Sequence, residues 1–186
     1  NQLYYHAWGI DHSTFGEPLV QGQVSFGKGQ MLMRDYQKRS DICVVLLEMC
    51  EDVAKRARTA GYVGRTISLG LSYSQAAMTK GFYRSKTIEE PTNDTMTLYA
   101  VCKELLDTHF VGEPARQLSV RLSNVEQAQS IQLDLFDTNK EKRQTLAHTV
   151  DTIRDKFGTT AVLRAASYTE AGTALERNRL VGGHLA

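Results

Sequence analysis

Cysteine is scarce in this chain: three in 186 residues (Cys43, Cys50, Cys102). That is too few for a disulfide framework, so the expected setting is the reducing cytoplasm. No run of about 18 apolar residues exists, so no membrane-spanning helix is expected. No signal peptide is visible either. The five histidines (His6, His12, His109, His148, His184) match no zinc spacing, and no cysteine pair assists them. Cys43 and Cys50 lie one heptad apart on an apolar helical pattern and read as core. Gly27-Lys28-Gly29 lacks the spacing of a nucleotide-binding loop. No nucleophile has a plausible base. These absences argue against a small enzyme acting alone.

What is present is an ordinary globular composition, 41% hydrophobic and 23% charged, with a net charge of +1. The length suits one domain with appendages and a core that needs no staples. The chain opens on Asn1, which reads as a piece of a longer protein.

The expected elements alternate. Residues 1–23 end in Gly/Pro-punctuated linker. A strand is expected at about 24–36. A helix capped at Ser40/Asp41 follows, with Ile42, Leu46, Met49, Val53 and Ala57 on one side, stopped by Gly61. Residues 65–73 alternate strictly, Ile67, Leu69, Leu71 and Tyr73 against Thr66, Ser68, Gly70 and Ser72. A strand at 81–88 precedes a helix opened by Pro91-Thr92-Asn93-Asp94, with Leu98, Val101 or Cys102, and Leu105 buried. A last strand at 116–123 turns Leu118, Val120 and Leu122 inward and Ser119, Arg121 and Ser123 outward. The order is β-α-β-β-α-β. The fold class is α+β: a four-stranded sheet with two helices on one face and the other face open.

Charge divides by element. The strand stretches carry Lys28, Arg34, Lys38, Arg39, Arg65, Lys80, Arg84, Lys86, Arg116 and Arg121 against Asp35 alone, a sum of +9. The helical stretches 41–60 and 89–114 together sum to −6. The expectation is a basic open sheet face and an acidic helix side, the polarity that tracks a phosphate backbone. That face shows Tyr83 but no aromatic row, so duplex backbone contact is favoured over reading of unstacked RNA bases. The plain alternative is a solvated sheet with scattered charges.

Beyond the last strand a polar connector, 124–130, leads to Gln132-Leu133-Asp134-Leu135-Phe136. This pentapeptide resembles the bacterial sliding-clamp-binding motif at every position. Leu135 and Phe136 would fill an apolar pocket and Gln132 would fix register. Local concentration on DNA would make a weak tether effective. The competing reading is a strand through Ile131, Leu133 and Leu135 packed on its own domain. Thr138-x-x-Glu141 then opens a helix with Leu146, Val150, Ile153 and Phe157 on one side, ended by Gly158. That helix is expected to lie on the domain's own surface, with packing against a partner protein as the alternative, and the final twenty residues are expected to lack order.

Together these residues resemble the C-terminal part of Y-family translesion DNA polymerases of the ImpB/MucB/SamB type. Tyr4-Tyr5-His6-Ala7-Trp8-Gly9-Ile10-Asp11 is similar to the end of the thumb. Val24-Ser25-Phe26-Gly27-Lys28-Gly29, Arg84-Ser85-Lys86-Thr87-Ile88 and Leu118-Ser119-Val120-Arg121-Leu122-Ser123 are similar to strands of the little finger domain. The resemblance implies thumb and linker at 1–23, little finger at 24–124, clamp tether at 125–137 and an extension at 138–186. It implies contacts to primer-template DNA from Ser25, Gly27, Lys28, Arg84, Ser85, Lys86, Thr87 and Arg121. The bacterial sliding clamp would be a second partner, held through Gln132, Leu133, Asp134, Leu135 and Phe136. It also implies a parent that copies past damage in DNA repair and the SOS response. That parent would use Mg2+ on palm carboxylates that this piece lacks, so the piece would be non-catalytic and bind no cofactor. The alternative is a stand-alone nucleic-acid- or protein-binding α/β module.

Overall fold

The computed structural model describes residues 2–10, 25–128, 140–181 and 184–185. After a short helix, α1 (Gln2–Ala7), the chain forms β1 (Phe26–Tyr36), α2 (Arg39–Thr59), β2 (Tyr62–Tyr73), β3 (Phe82–Thr92), α3 (Thr95–His109) and β4 (Ala115–Gln127). The sheet order is β1-β4-β2-β3 and every pairing is antiparallel. The expected β-α-β-β-α-β order and α+β class hold.

Strict alternation drives the assembly. Ile67, Leu69 and Leu71 of β2 and Leu118, Val120 and Leu122 of β4 are all buried, and α2 and α3 cover them. Helix α2 contributes Ile42, Val45, Leu46, Met49, Val53 and Ala57 at helical spacing, while α3 contributes Leu98, Val101, Leu105 and Leu106. The "Val101 or Cys102" ambiguity resolves to both, because α3 packs against α2 as well as the sheet. All three cysteines are buried in this core. Hydrogen bonding from Cys50 to Cys102, and then burial, push the Cys50 thiol well above its usual range.

Two starts and one end differ from expectation. Helix α2 begins at Arg39 with Lys38 in the cap position, and Ser40 Oγ donates to Asp41 Oδ1 rather than capping the helix. Pro91 and Thr92 finish β3, and Asp94 alone caps α3, its Oδ2 accepting the Thr97 N–H at 2.8 Å. Strand β4 runs on to Gln127, because β2 begins at Tyr62 and offers partners to Val125, Glu126 and Gln127. The connector expected from Asn124 is thus partly strand. Gly61 does end α2 with a left-handed backbone, φ 73°.

The C-terminal segment is ordered and packs against the helix side. It comprises α4 (Lys140–Phe157), a 3-10 turn (Ala165–Tyr168), α5 (Ala174–Arg177) and two short strands, β5 (Leu180–Val181) and β6 (His184–Leu185). Within the expected disordered end, Ser167, Ala171 and Thr173 are buried. The reason is polar. The outer face of α2 carries Glu48, Glu51 and Asp52, and the tail answers with arginines. Arg154 and Arg164 converge on Glu51 at 3.0 and 2.6 Å. Glu48 accepts the Thr173 N–H and hydroxyl, and Arg177 reaches Asp52 at 3.1 Å. Arg58 of α2 binds Asp151 of α4 with two hydrogen bonds, 2.8 and 3.1 Å, and both side chains are nearly buried. Apolar packing plays a smaller part: Val150 and Ile153 are half-buried, but Leu146 and Phe157 of the expected stripe stay exposed.

Removing one member of a buried ion pair strands its partner, at about 3–5 kcal/mol. Asp151→Ala is therefore expected to lower unfolding free energy by roughly that amount in denaturant titrations, with Asp155→Ala, at an exposed pair, costing under about 1 kcal/mol. Partial burial would raise the Asp52 carboxyl, but the Lys28 ammonium and Arg177 guanidinium beside it hold it below its ordinary value of 3.8. The stability it contributes is then complete above that value and is lost as pH falls through the lower folded-state value. Acid-unfolding curves of Asp52→Asn should accordingly fall less steeply in that window than those of the parent.

Candidate nucleic-acid interface

Among the described residues, no helix covers the sheet face opposite α2 and α3. Antiparallel register sets which side chains share it, because directly paired residues point the same way. One row crosses Gly27, Arg121, Ser68 and Ser85, and the next crosses Gly29, Ser119, Gly70 and Tyr83. Toward one end lie Ser123, Thr66 and Thr87, and toward the other Met31, Gln117 and Ser72. None of these fourteen residues is acidic.

Local chemistry orders this face. Ser68 and Ser85 hydroxyls meet at 2.9 Å, and Thr66 and Thr87 hydroxyls at 3.0 Å, so cross-strand pairs fix their rotamers. Each pair keeps one O–H donor and spare acceptor lone pairs, and the partners on β3, Ser85 and Thr87, are the exposed ones. Arg121 is exposed, and its side chain lies beside Gly27, where a Cβ would stand 3.6 Å from Arg121 Cγ and Nε. A Cβ there would make ordinary van der Waals contact with the guanidinium stem.

The expected site residues therefore divide. Gly27, Ser85, Thr87 and Arg121 share the open face, and Ser25 sits exposed just before β1. Lys28, Arg84 and Lys86 do not share it. They pair with Val120, Leu69 and Ile67, all buried on the helix side. The expectation that the basic residues gather on the uncovered face is corrected for these three. Strand alternation is the cause: Arg84 and Lys86 have the parity of Phe82 and Ile88, which pack on the core. Because β1 and β3 are edge strands, these long side chains reach the rim of the sheet. Lys86 Nζ there donates to both Glu104 oxygens at 2.7 Å, Lys28 pairs with Asp52, and Arg84 donates to the Tyr83 carbonyl. Arg34 likewise turns to the tail, donating to the Glu170 carbonyl. The site is thus a set of paired rows without a carboxylate and with one central arginine, bordered by the ion-paired Lys28 and Lys86 and by Arg84.

Sequence reasoning named most of the face's hydroxyls as outward but did not place Met31 or Gln117 there. The signal for the parity of β3 was present, since Phe82 and Ile88 bracket Arg84 and Lys86 at even spacing. Gln132, Leu133, Asp134, Leu135 and Phe136 lie outside the described residues. Among the described residues, no group of three or more His, Cys, Asp or Glu is placed to hold a metal ion.

Residues 23–135 match the model of the impB/mucB/samB family C-terminal domain. UvrX of Bacillus subtilis (strain 168), named for UV-damage repair, is 55% identical over 184 residues, covering 99% of this chain and 44% of that protein. DNA polymerase IV 2 of Halalkalibacterium halodurans is 41% identical over 182 residues, covering 98% of this chain and 44% of that one. The chain thus spans less than half the length of these two relatives. Among solved structures, the little finger domain of PolIV in a complex with the beta-clamp processivity factor aligns at 12% identity and TM-score 0.46, over 61% of this chain and 99% of that one. With its matched segment running from just before β1 to beyond β4, the chain belongs to the impB/mucB/samB family, whose C-terminal domain it contains.

Proposed function

We propose that this chain is the DNA-gripping and clamp-tethering portion of an error-prone translesion polymerase. The observation that carries the reading is the uncovered face: hydroxyls, glycines and Arg121 with no carboxylate among its paired rows. Such a surface admits a phosphate backbone without like-charge repulsion and offers it neutral and cationic donors. Ser25, Gly27, Ser85, Thr87 and Arg121 act from the face. Arg84, Lys86 and Lys28 act from the rim, the two lysines after exchanging carboxylate partners for phosphate. Relatives named DNA polymerase IV support a polymerase parent.

Nucleotidyl transfer would need clustered carboxylates holding metal ions. The described residues do not fit such a site, so catalysis and its Mg2+ belong in this reading to another part of the parent, working in the cytoplasm. The Gln132–Phe136 segment supplies the sliding-clamp contact, with Leu135 and Phe136 as anchors.

Two measurements test this. In titrations of primer-template DNA against salt, Arg121→Ala should weaken binding and flatten the log–log slope by about one unit, as one lost phosphate contact requires. Lys86→Ala should do so less, since its pairing with Glu104 already offsets part of its charge. Unchanged slopes in the Arg84/Lys86/Arg121 triple alanine variant would remove the assigned surface. A peptide spanning Ile131 to Asp137 should bind a bacterial sliding clamp and lose that binding when Leu135 and Phe136 become Ala; a peptide indifferent to those changes contradicts the tether.

A further inference from the structure

The open face is not uniform. Its Arg121 end is polar, whereas one row along, Tyr83 presents a half-exposed aromatic ring, 53% accessible. Tyr83 pairs across the strand with Gly70, and Gly70 pairs on its other side with Ser119. A Cβ at Gly70 would lie 3.0 Å from Tyr83 Cδ2 and collide with Ser119 Oγ. The ring therefore lies over the glycine, in space that a side chain at position 70 would occupy. Gly29, in the same row, adds no side chain, and Met31 stands exposed in the next row. The result is one aromatic ring lying over a glycine in a face that is otherwise small, polar or guanidinium, with Met31 on the far edge strand.

Covering a glycine with an aromatic ring is by itself a packing device. Two features point past packing. About half of the ring remains open to solvent, and the platform is continuous with the carboxylate-free surface. We propose that Tyr83 is a stacking platform for one unpaired base of a DNA strand whose phosphates run along the open face. This rests on the reading of that face as a DNA surface and adds a second kind of contact to it. Base faces inside a duplex are stacked on each other and closed to a side chain, so the occupant is a single-stranded nucleotide. From Arg121 to Tyr83 is two strands across and two residues along, roughly 12 Å, so one strand can use both. Stacking is tolerant of base identity and insensitive to salt, whereas the Arg121 contact is ionic.

The test uses the 186-residue chain and two probes: a blunt duplex, and the same duplex with a single-stranded extension carrying 2-aminopurine. The extended probe should bind about five-fold or more tightly than the blunt one, with quenching of the 2-aminopurine. Tyr83→Ala should abolish both the advantage and the quenching while leaving the salt slope unchanged. Tyr83→Phe should retain all three, which separates stacking from a role of the hydroxyl and controls for folding. Gly70→Ala, which displaces the ring, should reduce the quenching. An undiminished advantage in Tyr83→Ala, or a parent that treats both probes alike, overturns the platform but leaves the duplex surface standing. A parent that binds neither probe overturns both.

Discussion

Burial of one side of β2 and β4 governs the rest of the molecule. Ile67, Leu69, Leu71, Leu118, Val120 and Leu122 must leave water together, and with a period of two their neighbours must then point the other way. A slip of one residue in either central strand would place serines and Arg121 under the helices, so register is enforced by the core rather than by the polar residues. The bare face inherits its composition from that constraint. It can be made of small hydroxyl residues and glycine because stability is supplied from the opposite side.

Helix α2 carries this division a layer further. Its apolar side closes the core, while its acidic side is neutralised by Arg154, Arg164 and Arg177 of the tail. The negative charge expected on the helices is present, but much of it on α2 is answered internally. Electrostatic contrast between the two sides of the domain is therefore smaller than a count by element suggests. What distinguishes the open face is a lack of acid rather than an excess of base.

Much of the fold was legible in the sequence because alternation and helical spacing each report one buried side. The order of elements along the chain, the two covering helices and the parity of β2 and β4 followed directly. The parity of β3 was harder: as an edge strand it buries only Phe82 and Ile88 in part, and the five positions between them are all exposed, which blurs the period. Charge totals per strand said nothing of side, so Lys28, Arg84 and Lys86 were assigned to the wrong face. The tail was opaque for another reason. Its attachment uses pairs more than a hundred residues apart, Glu51 with Arg154 and Glu48 with Thr173, and short polar segments carry no local trace of such partners.

The contact between Glu48 and Thr173 has a consequence for inheritance. Glu48 is almost inaccessible, and its carboxylate is satisfied by a backbone N–H and a hydroxyl from beyond the family-matched segment. A graft of residues 23–135 into another polymerase would leave that carboxylate without these donors unless position 48 changed with it. The α2 outer face and the tail therefore form one packing unit, and a self-sufficient module is longer than residues 23–135.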